Sequence, residues 1–230
     1  LSSYAMWGRT SRFKVFAPQC YASLFEQQMN FFMQGMTYEI EFVPVDTTQQ
    51  KVVYEDHSVT VETVPLRHRV PCCGYIFREK PTLPHIRRDM IDYYGIPLSQ
   101  INNIKNGADW TTPEGDIVPN SRLVEPADAP RSYAYCSDTC YLPDLYERVK
   151  DVTVLYHEST YTSENEDRAK IYYHSTARQA ALVAQKAGAG RLLLGHYSAR
   201  YNNENVLLEE AKAVFPESYL SQEGMVFEVK

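Results

Sequence analysis

Apolar and polar positions change rhythm three times along the chain. Phe13 to Ala17 is a short, mostly apolar run closed by Pro18, which predicts a strand. Residues 19 to 34 place Leu24, Gln28 and Phe31 or Phe32 at helical spacing, which predicts a helix. Tyr38 to Val45 alternates apolar with polar and reads as a strand. Lys51 to Tyr54 and Ser58 to Leu66 repeat the alternation, with Val59, Val61 and Thr63 on one face, and Gly74 to Arg78 is one more short strand. This first half leans towards antiparallel β structure.

The rhythm then breaks. Between residues 80 and 130 stand Pro81, Pro84, Pro97, Pro113, Pro119, Pro126 and Pro130, each lacking a backbone donor, so a continuous sheet is excluded. Two short helices are expected, at Ile86 to Tyr94 and Leu98 to Ile104, and Pro113-Glu114-Gly115-Asp116 reads as a turn. A segment this long and irregular inside a compact domain points to a functional excursion.

Regular patterning returns at Ser132 to Cys136 and Val152 to Tyr156, both with the continuous apolar character of buried strands. Thr176 to Ala187 is the clearest helix, with a Thr176/Gln179 capping box at its start and Gly188 as its stop. Arg191 to Leu194 predicts a strand, Glu204 to Val214 a helix and Met225 to Val229 a last strand. Strands alternating with helices predict an α/β layered architecture.

Composition narrows the classes. The chain has 230 residues, 44% of them hydrophobic and 23% charged, enough for a packed core. Its net charge of -6 excludes a globally basic nucleic-acid binder but leaves room for a local basic patch. The longest apolar runs are far too short to span a bilayer. Cys20, Cys72, Cys73, Cys136 and Cys140 show no CxxC spacing, which suits reduced thiols in a cytoplasmic protein. The chain opens Leu-Ser-Ser without Met, and is expected to be the remainder of a longer protein.

The candidate chemistry is positional. Four apolar runs each lead to a residue that can hold a metal or move a proton: one to His68, one to Asp138, one to His157 and Glu158, and one to His196. Strand ends meet at one rim of a layered α/β sheet. His174 joins them just before the capped helix. Imidazoles and a carboxylate are ordinary ligands for a divalent metal, and such a site activates water for hydrolysis. Glu158 and His174 are expected as orienter and general acid. The residues alone point to a metal-dependent hydrolase.

Several strings sharpen this. Tyr135-Cys-Ser-Asp-Thr139, His157-Glu-Ser-Thr-Tyr161, His174-Ser-Thr-Ala177 and Gly195-His-Tyr-Ser-Ala-Arg-Tyr201 resemble, in order, the motifs of RNase Z. That is the tRNA 3′-processing endoribonuclease family of the metallo-β-lactamase superfamily. Leu66-Arg-His-Arg-Val70 with Gly74-Tyr75 resembles the family's strand-end histidine motif, and Leu1-Ser-Ser to Gly8-Arg9-Thr10 resembles the helix after its first metal motif. The resemblance implies a metallo-β-lactamase-like αββα sandwich formed by a single domain over 1–230, incomplete at its N-terminus. It implies a flexible RNA-binding arm inserted at 80–125.

The resemblance also implies roles. His68, Asp138 and His196 would be metal ligands, with Asp138 bridging two Zn2+ ions; His174, held by Glu158, would be catalytic. Ser175, Ser198 and Arg200 would contact phosphate, helped by open backbone donors at the start of the Thr176 helix. Arg87, Arg88 and Lys105 of the arm would contact RNA. From Arg78 to Lys105 the arm carries five basic residues against three acidic, a local charge of +2 in a chain of -6. Arg9, Arg12 and Lys14 form a second basic spot. The substrate would be precursor tRNA, cut to leave a tRNA 3′-OH, and the assembly a cytoplasmic homodimer with neither DNA nor membrane as partner. The family's HxHxDH motif does not occur in these 230 residues and is expected just before Leu1. With so few ligands the chain alone is expected to bind zinc poorly and to be inactive. The competing readings are another phosphodiesterase or sulfatase of the same fold, and a non-catalytic RNA-binding module.

Overall fold

A computed structural model describes residues 1–32 and 37–230. In chain order the elements are α1 (Ser2–Met6), β1 (Phe13–Pro18), α2 (Ala22–Phe32), β2 (Ile40–Val45), β3 (Val52–Glu55), β4 (Val59–Pro65) and β5 (Cys73–Glu79). Then come β6 (His85–Ile86), α3 (Arg88–Tyr94), α4 (Leu98–Lys105), β7 (Trp110–Thr111), β8 (Ile117–Val118), α5 (Asn120–Leu123) and β9 (Val124–Glu125). The chain closes with β10 (Ser132–Cys136), α6 (Leu145–Arg148), β11 (Val154–Glu158), α7 (Glu166–Tyr172), α8 (Ala177–Ala187), β12 (Arg191–Gly195), α9 (Asn205–Lys212) and β13 (Ser218–Leu220). The last two positions of the helix expected at 19–34 lie outside the described residues.

Two compact units result: Leu1–Arg78 with Arg131–Lys230, and Glu79–Pro130. The larger is built on a seven-stranded sheet of order β13-β12-β11-β10-β5-β4-β3. β10 to β13 run parallel, and β5 joins β10 antiparallel. The parallel strands are buried because helices cover them. Leu155, Leu192 and Leu194 meet Ala177, Ala180, Ala181 and Ala184 of α8 in one core. The run of alanines lets α8 approach the sheet closely, and Leu207 and Ala211 of α9 complete that layer.

The capping box expected at Thr176 is formed: Thr176 Oγ1 accepts from Gln179 N, and Gln179 Oε1 accepts from Thr176 N. Gly188 ends the helix at φ +65°. Two expectations fail. Residues 225–229 form no strand; the sheet's edge is Ser218–Leu220, paired with Leu192–Leu194, and Val226 is 88% exposed with no ladder to join. In the first half β1 and β2 pair parallel, because α2 returns the chain across them. β3 and β4 are antiparallel as expected.

The smaller unit has its own core of Ile96, Ile104, Val118 and Leu123. The turn at Pro113 to Asp116 joins β7 to β8. Asn120 ties the loops together, its side-chain amide donating to the carbonyls of Ile104 and Ala108. No helix among the described residues is long and apolar enough to cross a membrane.

Candidate active site at the strand ends

Register delivers the site. Cys136 pairs with His157, His157 with Leu194 and Glu158 with Gly195, so three parallel strands stop at one level of the sheet. Asp138 lies two residues past the first, Glu158 ends the second, and His196 follows the third. His196 adopts φ +57°, a left-handed conformation uncommon for a non-glycine residue and a mark of local strain. Gly195 before it has no side chain because the Tyr156 ring occupies the space a Cβ would need.

Glu158 is the hub. It is fully buried, and both oxygens are engaged. Oε1 accepts from His174 Nδ1 at 2.8 Å and from Thr139 N at 3.0 Å. Oε2 accepts from Thr160 Oγ1 at 2.7 Å and Thr160 N at 3.0 Å. Burial pushes its pKa up, but the hydrogen bonds from His174 and Thr160 outweigh it and hold the carboxyl below its ordinary value. These four donors occupy the acceptor capacity of one carboxylate.

The imidazoles stand in a row. His174 lies between His68 and His196, with ring centroids 5.1 Å from each. His68 Nδ1 donates to Tyr173 O at 3.0 Å, and Tyr173 reaches that position through a left-handed φ of +61°. His196 Nε2 faces Asp138 Oδ1 at 3.3 Å. Burial raises the Asp138 pKa, but the Ser137 hydroxyl and His196 lower it further, leaving it below the ordinary value. His196, His174 and Glu158 also form a group whose ligand atoms lie within 4.8 Å of one another.

This donor set fits a divalent cation. His196 Nε2 and Asp138 Oδ1 lie 3.3 Å apart, and each can give a lone pair to one shared cation. The separation matches the edge of about 3.3 Å that a tetrahedron with metal–ligand bonds of about 2.0 Å requires. His68, Asp138 and His196 are thus brought to one rim, with His174 and Glu158 among them.

The other expected residues divide. Ser175 is fully buried and donates to Thr139 O at 2.8 Å, so its hydroxyl is committed within the fold. The Thr176 helix offers no open donors either. Ala177 N is bound by Tyr161 O, Arg178 N by Glu210 and Gln179 N by Thr176. Arg200 is exposed but lies over the Tyr161 ring and bonds Ser198 Oγ and Asn165 Oδ1. In the Arg9, Arg12 and Lys14 spot, Arg12 and Lys14 pair with Glu39 and Glu41, and Arg9 lies over Tyr4, Phe13 and Tyr38. In the smaller unit Arg87 pairs with Asp89 at 2.7 Å, Arg88 is exposed and Lys105 is half-buried.

The sequence pattern gives Thr139 and Thr160 no role. Thr139 ties the loops to each other, taking Arg67 N on its hydroxyl while its own N–H serves Glu158. The available signal was a hydroxyl residue within two positions of each strand-end carboxylate.

No protein-family model matches the chain. It is 46% identical to a ribonuclease Z of Bacteroides fragilis (strain YCH46) over 225 residues, 98% of this chain and 74% of that protein. The chain belongs to the ribonuclease Z family. A ribonuclease Z of Phocaeicola vulgatus is 45% identical over 230 residues, covering 100% of this chain and 74% of the relative. The human short-form tRNase Z shares the fold with a TM-score of 0.57 at 17% identity, over 94% of this chain and 68% of that one. The metallo-β-lactamase fold protein YhfI from Bacillus subtilis gives 0.59 at 15% identity, over 97% and 68%. The family and fold resemblances read from the motifs therefore hold. The chain carries the metallo-β-lactamase-like α/β fold and belongs with metal-dependent endoribonucleases.

Proposed function

We propose that this chain carries strand-end residues of an active site that removes the 3′ trailer from precursor tRNA, leaving a tRNA 3′-OH. The supporting observation is the convergence of His68, Asp138, His174 and His196 above one buried carboxylate in a ribonuclease Z sequence. His68, Asp138 and His196 would hold divalent metal, and the resemblance to the family implies a pair of Zn2+ ions. The chemistry such ions supply is polarisation of water and neutralisation of charge on a phosphoryl oxygen.

The chain's own groups do the rest. Glu158 fixes His174 through Nδ1 and leaves the opposite ring nitrogen to donate to the departing 3′ oxygen or to a phosphoryl oxygen. Asp138, kept ionised, balances the charge gathered at the rim. The separate Glu79–Pro130 unit acts as the RNA-gripping arm, with Arg88 and Lys105 on the backbone and Arg87 shared with Asp89. Ser198 and Arg200 lie at the rim as phosphate contacts, and Arg200 must then exchange its Asn165 bond for the substrate. The working form is read as a cytoplasmic homodimer.

The test uses protein expressed from the complete reading frame and a precursor tRNA with a 3′ trailer. Expected products are a tRNA ending in 3′-OH and a 5′-phosphorylated trailer, abolished by chelation. Turnover of a small phosphodiester with no tRNA cleavage would favour a different phosphodiesterase of the same fold.

A further inference from the structure

The three imidazoles of the site share one pattern: each has its Nδ1 hydrogen-bonded away from the row. His68 uses a backbone carbonyl and His174 the Glu158 carboxylate. His196 instead meets a neutral hydroxyl, Thr160 Oγ1, at 2.9 Å. We propose that Thr160 is a positioning residue, relaying the hydrogen-bond demand of Glu158 to His196 and so fixing that ring as the Nδ1–H tautomer.

The argument is a count of protons. Thr160 Oγ1 has one hydrogen and lies near three groups: Glu158 Oε2 at 2.7 Å, His196 Nδ1 at 2.9 Å and His196 O at 3.0 Å. An ionised carboxylate is acceptor-only, and a hydroxyl 2.7 Å from it without a proton between them is repelled. The hydroxyl hydrogen therefore points to Glu158, the nearer and charged acceptor, ahead of the neutral His196 carbonyl. Towards His196 the same oxygen can only accept, so Nδ1 carries the proton. Nε2, on the far side of the ring, faces Asp138 Oδ1 and is the nitrogen that can exchange a proton for a cation.

Two further observations agree. Thr160 is 5% exposed, so water does not compete for its hydroxyl. Its backbone carbonyl accepts from Ser198 N at 3.2 Å, so the residue grips the strained left-handed turn at His196 from both sides. One carboxylate thus sets two imidazoles, His174 directly and His196 through one hydroxyl.

The consequence for cation binding rests on the reading of His196 as a ligand, so the experiment measures tautomer and affinity separately. Ring-nitrogen NMR of the metal-free, full-length protein gives the His196 tautomer, assigned with His196→Gln. Zn2+ affinity is measured by competition with a chelator. Thr160→Val keeps the shape and removes the hydroxyl; Thr160→Ser restores it. We expect Thr160→Val to shift His196 to a mixed or reversed tautomer and to weaken Zn2+ binding roughly tenfold to a hundredfold. Thr160→Ser should behave as wild type in both. An unchanged His196 tautomer in Thr160→Val overturns the proposal, whatever the affinity. A changed tautomer with unchanged affinity keeps Thr160 as the positioner and removes His196 from the ligand set, so that only the functional reading fails. Should Thr160→Val not fold, wild type decides alone: a His196 ring with a proton on Nδ1 supports the relay, whatever Nε2 carries, and a bare Nδ1 overturns it.

Discussion

At the scale of single residues, the site depends on one carboxylate with no spare acceptor. Glu158→Gln replaces an acceptor oxygen with an amide donor, while each side of the carboxylate faces a backbone N–H, from Thr139 or Thr160, that can only donate. One N–H must then face another, and His174 loses its alignment. Cleavage should fall by about 10²- to 10⁴-fold, the range of a positioned proton donor, while the fold persists by circular dichroism. A variant with near wild-type turnover would remove Glu158 from the mechanism. Gly195 is the second sensitive position. A Cβ there collides with the Tyr156 ring, and relieving the clash must disturb its stacking on Tyr135, with centroids 4.7 Å apart. Gly195→Ala should cost about 1–3 kcal/mol in urea unfolding and displace His196 with it.

Among elements, α8 is the one that locks the site to the core. It follows His174 and Ser175 directly, and its alanine face lies on the sheet. The Thr176 cap fixes where the helix begins and therefore where His174 stands. Thr176→Ala removes the acceptor for Gln179 N and should cost about 1 kcal/mol. Guanidinium unfolding measures it, and an unchanged midpoint would show that the packed face alone sets the helix start. The capping box, the Gly188 stop and the buried strands Ser132–Cys136 and Arg191–Gly195 were legible because local chemistry specifies them. The last strand lies at Ser218–Leu220 rather than Met225 to Val229 because both segments are short with mixed apolar positions, and only pairing with β12 distinguishes them. The helix Glu166–Tyr172 was not foreseen, since its ion pair Glu166–Lys170 and charged first turn carry little apolar periodicity.

For the whole molecule, the excursion interrupts what is otherwise one antiparallel connection. Arg78 pairs with Ser132, so the strand ends on either side of residues 80–130 are neighbours across a ladder. Replacing that segment with a tight turn should leave the larger unit folded, because the replaced residues hold a separate core. The shortened protein should lose tRNA cleavage and keep hydrolysis of a small phosphodiester. Loss of both activities in a folded product would place the segment in the chemistry rather than in RNA binding.

The sequence by itself determined which groups could do chemistry and that strands would bring them to a common rim, because strand ends and metal-ligand residue types are local properties. It also carried the family, through ordered strings that only a shared fold keeps in register. Tertiary structure alone decided how those groups are used. The burial of Ser175, the ion-paired Arg12 and Lys14, and the occupied donors of the Thr176 helix depend on partners distant in the chain. The linkage of Glu158 to His174 and, through Thr160, to His196 likewise joins residues from separate strand ends. A proton's position between two such groups is set by distances of a few tenths of an ångström, which no spacing along the chain encodes.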